Sequence, residues 1–114
     1  MSEYVIYHNP KCSKSRQTLE LLKEKGIDPE VVEYLKEPLN EKQVSELIEK
    51  LSVDSKLLIR TKESLFKENR PPIDNDKQIA AAIAKFPKIM ERPIVVHGSK
   101  AVIGRPPENI LELI

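Results

Sequence analysis

The sequence is poor in the residues that build common redox, metal and nucleotide-binding motifs. Its 114 residues include one cysteine, Cys12, and three glycines. A single cysteine excludes an internal disulfide, a Cys-x-x-Cys dithiol and a zinc site made of clustered Cys and His. The chain also lacks the Gly-rich loops that bind nucleotide phosphates and dinucleotides. We therefore expect no metal site and no bound cofactor.

Charge and hydropathy exclude two further classes of partner. Nineteen Lys and Arg against eighteen Asp and Glu give a formal net charge of +1. This near balance provides no general attraction to nucleic acid or to a membrane surface. No apolar run is long enough to cross a bilayer, and residues 1–6 do not resemble a signal peptide. We therefore predict a cytoplasmic protein that binds neither nucleic acid nor membrane.

The order of the predicted elements indicates an α/β fold. Residue types and turn signals predict strands over residues 4–7, 30–35, 93–96 and 100–103, and helices over residues 13–25 and 75–86. A helical insertion occupies about residues 40–72. The resulting order is β-α-β, helical insertion, α-β-β-α, with a parallel strand pair and a hairpin. The sequence thus predicts one thioredoxin-like domain over residues 1–114, with a mixed four-stranded sheet.

The end of the chain predicts a final helix. Pro106 and Pro107 are typical of the first positions of a helix, where a missing N–H is harmless. The spacing of the apolar residues that follow predicts that Ile110, Leu111 and Ile114 face inward.

Cys12 lies between the first predicted strand and the first predicted helix. Making a thiol mostly anionic at neutral pH requires lowering its pKa by about 2 units, or about 2.7 kcal/mol. A helix N-terminus contributes up to ~2 kcal/mol, so cations or backbone N–H groups must supply the rest. Lys11, Lys14 and Arg16 are the nearest cations in the sequence. We interpret Cys12 as a reactive thiol; the alternative is a buried, inert cysteine.

Three arginines flank predicted elements, and the predicted fold brings two of them, Arg92 and Arg105, near Cys12. Arg60 ends a Leu-Leu-Ile run, Arg92 precedes the third strand, and Arg105 follows the fourth. Guanidinium groups match the oxygen atoms of a tetrahedral oxyanion and stay charged at any relevant pH. The pattern Arg-Pro, strand, hairpin, Arg-Pro-Pro favours an oxyanion site, although each arginine alone is compatible with an ordinary surface role.

His8 and Ser15 flank Cys12 and are candidate supporting residues. His8 could stabilise a thiolate by charge or through hydrogen bonds, or it could simply end the strand. The hydroxyl of Ser15 could donate to the sulfur or to a bound anion. His97 has no obvious partner in the sequence, and we interpret it as structural.

Three segments together resemble one family. Residues 7–16 (YHNPKCSKSR), 91–96 (ERPIVV) and 103–108 (IGRPPE) resemble the ArsC-type, glutaredoxin-coupled arsenate reductases, and the likeness runs from Tyr4 to Ile114. The family has a thioredoxin-like fold with a helical insertion. The resemblance implies that Cys12 is the nucleophile, that His8 and Ser15 lie near its thiol, and that Pro93 follows a cis peptide bond. It also implies an oxyanion site made of Arg60, Arg92 and Arg105.

The same resemblance implies a reaction. Arsenate would be reduced to arsenite through a covalent adduct on Cys12, with glutathione as co-substrate and glutaredoxin as protein partner. Phosphate or sulfate would compete for the arginines. The chain is most similar to the short, ArsC-like members, because Ser13 and Lys14 replace smaller, uncharged residues of the established reductases.

Two other functions are compatible with the sequence. One is a glutathione-linked thiol reductase or transferase that acts on another electrophile, which fits the single cysteine. The other is a non-enzymatic regulator of the Spx type, which shares the fold and binds RNA polymerase. Ser15 stands where such regulators usually carry the second cysteine of a Cys-x-x-Cys switch, which disfavours this alternative.

Overall fold

Four strands form one mixed sheet in the computed structural model, which describes residues 3–114. The strands are β1 (Tyr4–His8), β2 (Glu30–Glu33), β3 (Ile94–His97) and β4 (Lys100–Ile103). Their order across the sheet is β2-β1-β3-β4. β1 is parallel to β2, whereas β3 is antiparallel to both β1 and β4. The predicted α/β class with a mixed four-stranded sheet is confirmed.

The helices follow the predicted order. The α-helices are α1 (Ser13–Glu24), α2 (Glu41–Lys50), α3 (Ser64–Asn69) and α4 (Asp76–Lys85), and short 3₁₀ helices cover Ser55–Leu58, Pro87–Ile89 and Pro107–Leu113. α1 connects the parallel strands β1 and β2. The segment predicted as a helical insertion over about residues 40–72 contains α2, Ser55–Leu58 and α3. α2 begins at a capping box, in which the Asn40 side chain accepts from the Gln43 N–H at 2.8 Å.

Alternate residues of the strands bury opposite faces of the sheet. In β1, Ile6 packs with Leu22 of α1 and with Ile110 near the chain end. Val5 and Tyr7 pack instead against the larger apolar cluster formed by α2 and α4. This alternation follows from the two-residue period of a strand. The sheet therefore lies between two apolar layers, with α1 on one face and α2 and α4 on the other.

One edge of the sheet collects the segments that carry the predicted site. Since β1 and β2 are parallel, their carboxyl ends meet there, and antiparallel β3 begins at the same edge. The register pairs His8 with Glu33, Tyr7 with Ile94 and Ile94 with Ile103. Consequently, the Cys12 turn, the turn after β2, the Arg92–Pro93 segment and the residues after β4 all lie at this edge, which we call the site edge.

The helical segment is joined to the site edge by a short backbone clasp. Ile59 forms an isolated antiparallel bridge with Met90. The Arg60 N–H donates to the Ile89 carbonyl at 2.7 Å, and the Glu91 N–H donates to the Leu58 carbonyl at 2.6 Å. These bonds hold Arg60 beside the residues that lead into β3.

The final helix differs from the prediction. Pro107–Leu113 is a 3₁₀ helix rather than an α-helix, and it buries Pro107, Ile110 and Leu113. Leu111 and Ile114 were predicted to face inward but are 43% and 57% exposed. The reason is geometric, because a 3₁₀ helix has three residues per turn and places every third residue on one face.

Candidate active site

Cys12 is the N-cap residue of α1, and its backbone is extended, with φ −94° and ψ 123°. The turn that precedes it is closed by two hydrogen bonds. The Cys12 N–H donates to the Asn9 carbonyl at 3.0 Å, and the Asn9 side chain accepts from the Lys11 N–H at 3.0 Å. An N-cap side chain lies next to the free N–H groups of the first helical turn. The sulfur therefore occupies the position at which a helix best accommodates negative charge.

Several groups shift the thiol of Cys12 toward its anionic form. Burial alone would raise the pKa of Cys12, but the net effect of its surroundings is to lower it. The lowering comes first from the backbone N–H of Ser15, then from the guanidinium groups of Arg92 and Arg105, and then from the backbone N–H of Lys14. Donors and positive charges stabilise a thiolate more than a neutral thiol. Cys12 is also only half-buried, which is compatible with the approach of an external reactant.

Arg105 contacts the sulfur directly. Its Nη2 donates to Sγ of Cys12 at 3.2 Å, and its Nε donates to the Arg92 carbonyl at 2.8 Å. Nε also lies 3.2 Å from Oε1 of Glu91. These contacts fix the guanidinium between the thiol and the residues before β3.

Gly104 allows Arg105 to approach the site. A Cβ atom at Gly104 would lie 2.9 Å from both Cγ of Pro93 and Oγ1 of Thr18, which is closer than real Cβ contacts. The Gly104 N–H donates to the Pro93 carbonyl at 2.9 Å. Only glycine fits where these two backbone segments cross so closely.

The peptide bonds Arg92–Pro93 and Arg105–Pro106 are both cis, and the second was not anticipated.

Glu91 is an acidic residue inside the arginine cluster, and the sequence analysis did not identify it. Its Oε1 lies 3.6 Å from Nη1 of Arg60 and accepts from the Arg92 N–H at 3.1 Å. Together with its contact to Arg105, these interactions make one carboxylate oxygen the common neighbour of all three arginine residues. Its adjacency to Arg92 in the sequence was the available signal.

Unpaired donors distinguish this site from the rest of the described chain. Within residues 3–114, the buried side-chain nitrogen and oxygen atoms without a hydrogen-bond partner are Nη1 of Arg60, Nε and Nη1 of Arg92, and the hydroxyl oxygen of Tyr34. An unsatisfied buried donor costs about 1–3 kcal/mol. Such a group is a candidate for binding an acceptor ligand. All four atoms can donate, and three belong to guanidinium groups, so the ligand they fit is an anion.

His8 and Ser15 form a buried pair next to the Cys12 turn. Nδ1 of His8 lies 2.6 Å from Oγ of Ser15, which also accepts from the Asn9 N–H at 3.0 Å. Burial lowers the pKa of His8, the charges of Arg16 and Lys23 lower it further, and Glu33 opposes them. The imidazole is therefore neutral at neutral pH. Nδ1 of His8 and Oγ of Ser15 share a hydrogen bond, and the pair supports the turn by hydrogen bonds rather than by charge.

The cationic and hydroxyl side chains near Cys12 in the sequence are not directed at its sulfur. The hydroxyl of Ser15 is directed to His8 and Asn9, whereas its backbone N–H faces the sulfur. Lys11, Lys14 and Arg16 are exposed, and Nη1 of Arg16 donates to the Pro10 carbonyl at 2.9 Å. The charges that lower the pKa of Cys12 come from Arg92 and Arg105, which are remote in the sequence.

His97 lies at the opposite edge of the sheet and has clear partners. Its Nδ1 donates to the Leu113 carbonyl at 3.0 Å, and its ring stacks on Tyr4 with a centroid separation of 4.0 Å. Its Nε2 lies 3.5 Å from Oε2 of Glu3. These contacts support the structural interpretation and fill in the partners that the sequence did not reveal.

Two other kinds of feature, a metal site and a membrane-spanning helix, were sought among the described residues. Across residues 3–114, no group of three or more His, Cys, Asp or Glu side chains is placed to hold a metal ion. In the same part of the chain, no helix has both the length and the apolar character needed to cross a membrane.

Comparisons with known proteins all find similarity to one family. Residues 7–113 match the model of the ArsC family. The chain is 48% identical over 112 residues to the uncharacterized protein YfgD of Escherichia coli K12, covering 96% of this chain and 94% of the relative. It is 46% identical over 114 residues to an arsenate reductase of Neisseria meningitidis serogroup A, covering 96% and 97%. The solved structure of an arsenate reductase from Vibrio cholerae is 44% identical, with a TM-score of 0.91 over 97% of both chains.

Proposed function

The chain belongs to the ArsC family, and from this premise we propose that it is an arsenate reductase that uses the thiolate of Cys12 as its nucleophile. The observation that carries the proposal is the sulfur's position. Sγ of Cys12 is 3.2 Å from Nη2 of Arg105, and the same site holds buried guanidinium nitrogens of Arg60 and Arg92 that have no hydrogen-bond partner within residues 3–114. A nucleophile and an anion site thus lie together.

Binding precedes the chemistry. Arsenate carries negative charge on oxygen atoms that can accept hydrogen bonds from Arg60, Arg92 and Arg105. Phosphate and sulfate have the same tetrahedral shape and compete for the same donors. Thiols do not reduce phosphate, so phosphate acts only as a competitor and is a convenient probe of the site.

The first chemical step forms a covalent adduct. The Cys12 thiolate attacks arsenic, an As–S bond forms and an As–O bond breaks. The departing oxygen takes up protons and leaves as water, while arsenic remains As(V). Arg92 and Arg105 lower the pKa of the thiol before the attack and then balance the negative charge of the adduct.

The second step transfers electrons. The thiol of glutathione attacks Sγ of Cys12 in the adduct, the As–S bond breaks, and its electron pair stays on arsenic, which leaves as arsenite. The two sulfur atoms supply the two electrons and end as a mixed disulfide between Cys12 and glutathione. Glutaredoxin then removes the glutathione by thiol–disulfide exchange and restores the Cys12 thiolate.

An external thiol is required because the chain has one cysteine. Such a cycle operates in a reducing compartment, where mixed disulfides are continually reduced. We therefore propose a cytoplasmic location as part of the same hypothesis.

The test is arsenite formation from arsenate in the presence of glutathione and glutaredoxin, with wild type compared with Cys12→Ser. We expect turnover by the wild type and loss of at least about 1,000-fold in Cys12→Ser, because a hydroxyl is far less ionised than this thiol. Ser13→Ala is a matched control next in sequence. Equal rates for wild type and Cys12→Ser would remove Cys12 from the mechanism.

A glutathione-linked thiol reductase or transferase is the second candidate. It is favoured by the partly exposed, single thiol with a lowered pKa, which can form mixed disulfides with many partners. Turnover of glutathione mixed disulfides that is independent of arsenate and insensitive to phosphate would support this function over arsenate reduction.

A further inference from the structure

Tyr34 is a buried tyrosine whose hydroxyl has no assigned role in the reaction above. The side chain is 1% exposed and packs in the larger apolar cluster with residues of α2 and α4. Its hydroxyl is one of the buried polar groups that have no hydrogen-bond partner in the described part of the chain. Phenylalanine would fill the same space in the core without the cost of a buried hydroxyl that lacks a hydrogen bond. Packing alone therefore does not account for this hydroxyl.

The fold places Tyr34 at the site edge. Tyr34 directly follows β2, whose carboxyl end lies at the site edge next to that of β1. The ionisable groups that act on its phenol are Arg92, Cys12, Arg60 and Glu91, which are the components of the candidate site. The remaining unpaired donors, on Arg60 and Arg92, belong to the same group of residues.

We propose that the hydroxyl of Tyr34 donates a hydrogen bond to the bound oxyanion, as an uncharged donor beside the three arginines. The inference rests on the proposed function and deepens it by naming a further residue that touches the substrate. An oxyanion has only acceptor atoms to offer the protein at its charged oxygens, and a phenol that is kept protonated complements them.

The environment keeps this phenol protonated. Burial raises the pKa of Tyr34, Arg92 and Arg60 oppose the change, and Cys12 and Glu91 reinforce it, with a net rise. Cys12, in contrast, has a lowered pKa. At neutral pH Tyr34 therefore remains a donor, and it adds no charge that would have to be balanced after the product leaves.

The experiment compares two Tyr→Phe variants that each remove one hydroxyl. Tyr34→Phe removes an unpaired hydroxyl at the site edge. Tyr4→Phe is the matched control, because the Tyr4 hydroxyl donates to the Leu113 carbonyl at 3.2 Å at the opposite edge. Inorganic phosphate is the probe, with its dissociation constant measured by titration calorimetry, and the stability of each free protein is measured by urea unfolding.

We expect the two variants to show opposite effects. Tyr34→Phe should weaken phosphate binding by about tenfold or more, since hydrogen bonds to charged groups are the stronger class. Its urea midpoint should equal or exceed that of wild type, because a buried hydroxyl without a partner is removed. Tyr4→Phe should lower the urea midpoint and leave the phosphate dissociation constant unchanged.

Failure of this inference is distinguishable from failure of the proposed function. If Arg92→Ala loses phosphate binding and Tyr34→Phe does not, the Tyr34 role is wrong and the anion site stands. A Tyr34→Phe variant that loses stability and phosphate affinity together also overturns the inference, because that pattern indicates a packing role. If Tyr34→Phe behaves as expected but the wild type forms no arsenite, arsenate reduction is wrong and the donor role stands. Absence of phosphate binding by the wild type overturns both.

Discussion

The two edges of the sheet use their polar side chains in opposite ways. At the far edge, Tyr4 and His97 both donate to the Leu113 carbonyl, and their rings stack on each other. At the site edge, Arg60, Arg92 and Tyr34 hold buried donors that have no hydrogen-bond partner within the described chain, although Nη1 of Arg60 lies 3.6 Å from Oε1 of Glu91. The far edge thus anchors the chain end, whereas the site edge keeps hydrogen-bonding capacity for a ligand.

This contrast explains how a small protein can hold a site that is unfavourable on its own. Each unpaired buried donor costs about 1–3 kcal/mol, which is large against a typical total stability of about 5–15 kcal/mol. The two apolar layers and the far edge must therefore offset the cost of the donors at the site edge that lack hydrogen-bond partners. Substitutions at the site edge should therefore change mainly ligand affinity, and substitutions at the far edge should change mainly the free energy of unfolding.

The largest expected effect is at the site edge, in Arg92→Ala. This change removes two unpaired donors and one positive charge, so phosphate binding should weaken on the order of 100-fold, or about 3 kcal/mol. The urea midpoint should remain close to that of wild type. Titration calorimetry and urea unfolding on the same samples measure both quantities. Arg92→Lys keeps the charge but not the planar fork, so its phosphate affinity should lie between those of wild type and Arg92→Ala. Unchanged phosphate affinity in Arg92→Ala would contradict an anion site here.

The intermediate effect is at the far edge, in His97→Ala. The variant loses a hydrogen bond to the Leu113 carbonyl and the stacking on Tyr4. We expect it to lose about 1–2 kcal/mol of unfolding free energy and to bind phosphate as tightly as wild type. The contact between Nε2 of His97 and Glu3 adds little, because that carboxylate is largely exposed. A weaker phosphate affinity in this variant would show that the two edges are coupled.

The smallest effect concerns the charge state of Cys12 in Arg105→Ala. Removing the guanidinium that contacts Sγ should raise the pKa of the thiol, so that the rate of iodoacetamide alkylation rises at higher pH than in wild type. Arg16→Ala is the matched control, because Arg16 is close in sequence but is exposed and bonds to Pro10. An alkylation profile for Arg105→Ala that coincides with that of wild type would contradict this role.

The same pKa shift has a consequence for stability with a definite sign. The pKa of Cys12 is lower in the folded protein than in an ordinary thiol. Its ionisation therefore stabilises the fold fully above the ordinary thiol pKa, and this contribution disappears as pH falls through the lowered value. The difference in unfolding free energy between wild type and Cys12→Ser should grow with rising pH, and in Arg105→Ala this growth should be smaller.

Much of the fold was predictable because its signals are local. The strand before Asn9 and Pro10, the helix after Cys12 and the hairpin around Gly98 are each specified by neighbouring residues. Once the strand directions are known, the sheet topology brings the Arg92–Pro93 segment and Arg105 to the same edge as Cys12. The predicted participants therefore lie together, although their roles in catalysis remain predictions.

The parts that sequence reasoning missed depend on contacts between distant segments. Tyr34 was predicted as part of an apolar strand, and its sequence neighbours do not indicate that Arg60 and Arg92 act on its hydroxyl. Glu91 becomes significant only when Arg60 is placed against it. The final helix was assigned the wrong period, because Leu111 and Ile114 fit an α-helical stripe as well as Ile110 does. Lys14 and Arg16 are close in sequence to the thiol, but their side chains extend to solvent.

The clasp between Leu58–Arg60 and Ile89–Glu91 bears on how this protein can be remodelled. Two main-chain hydrogen bonds fix Arg60, and they depend on backbone shape rather than on particular side chains. The connection between Thr61 and Asp74 could therefore be redesigned while Arg60 stays in place, provided that the Asn75 cap of α4 and the packing of Leu65, Phe66 and Ile73 are kept. The clasp thus holds Arg60 at the sheet through main-chain bonds that do not require particular side chains in the segment that follows.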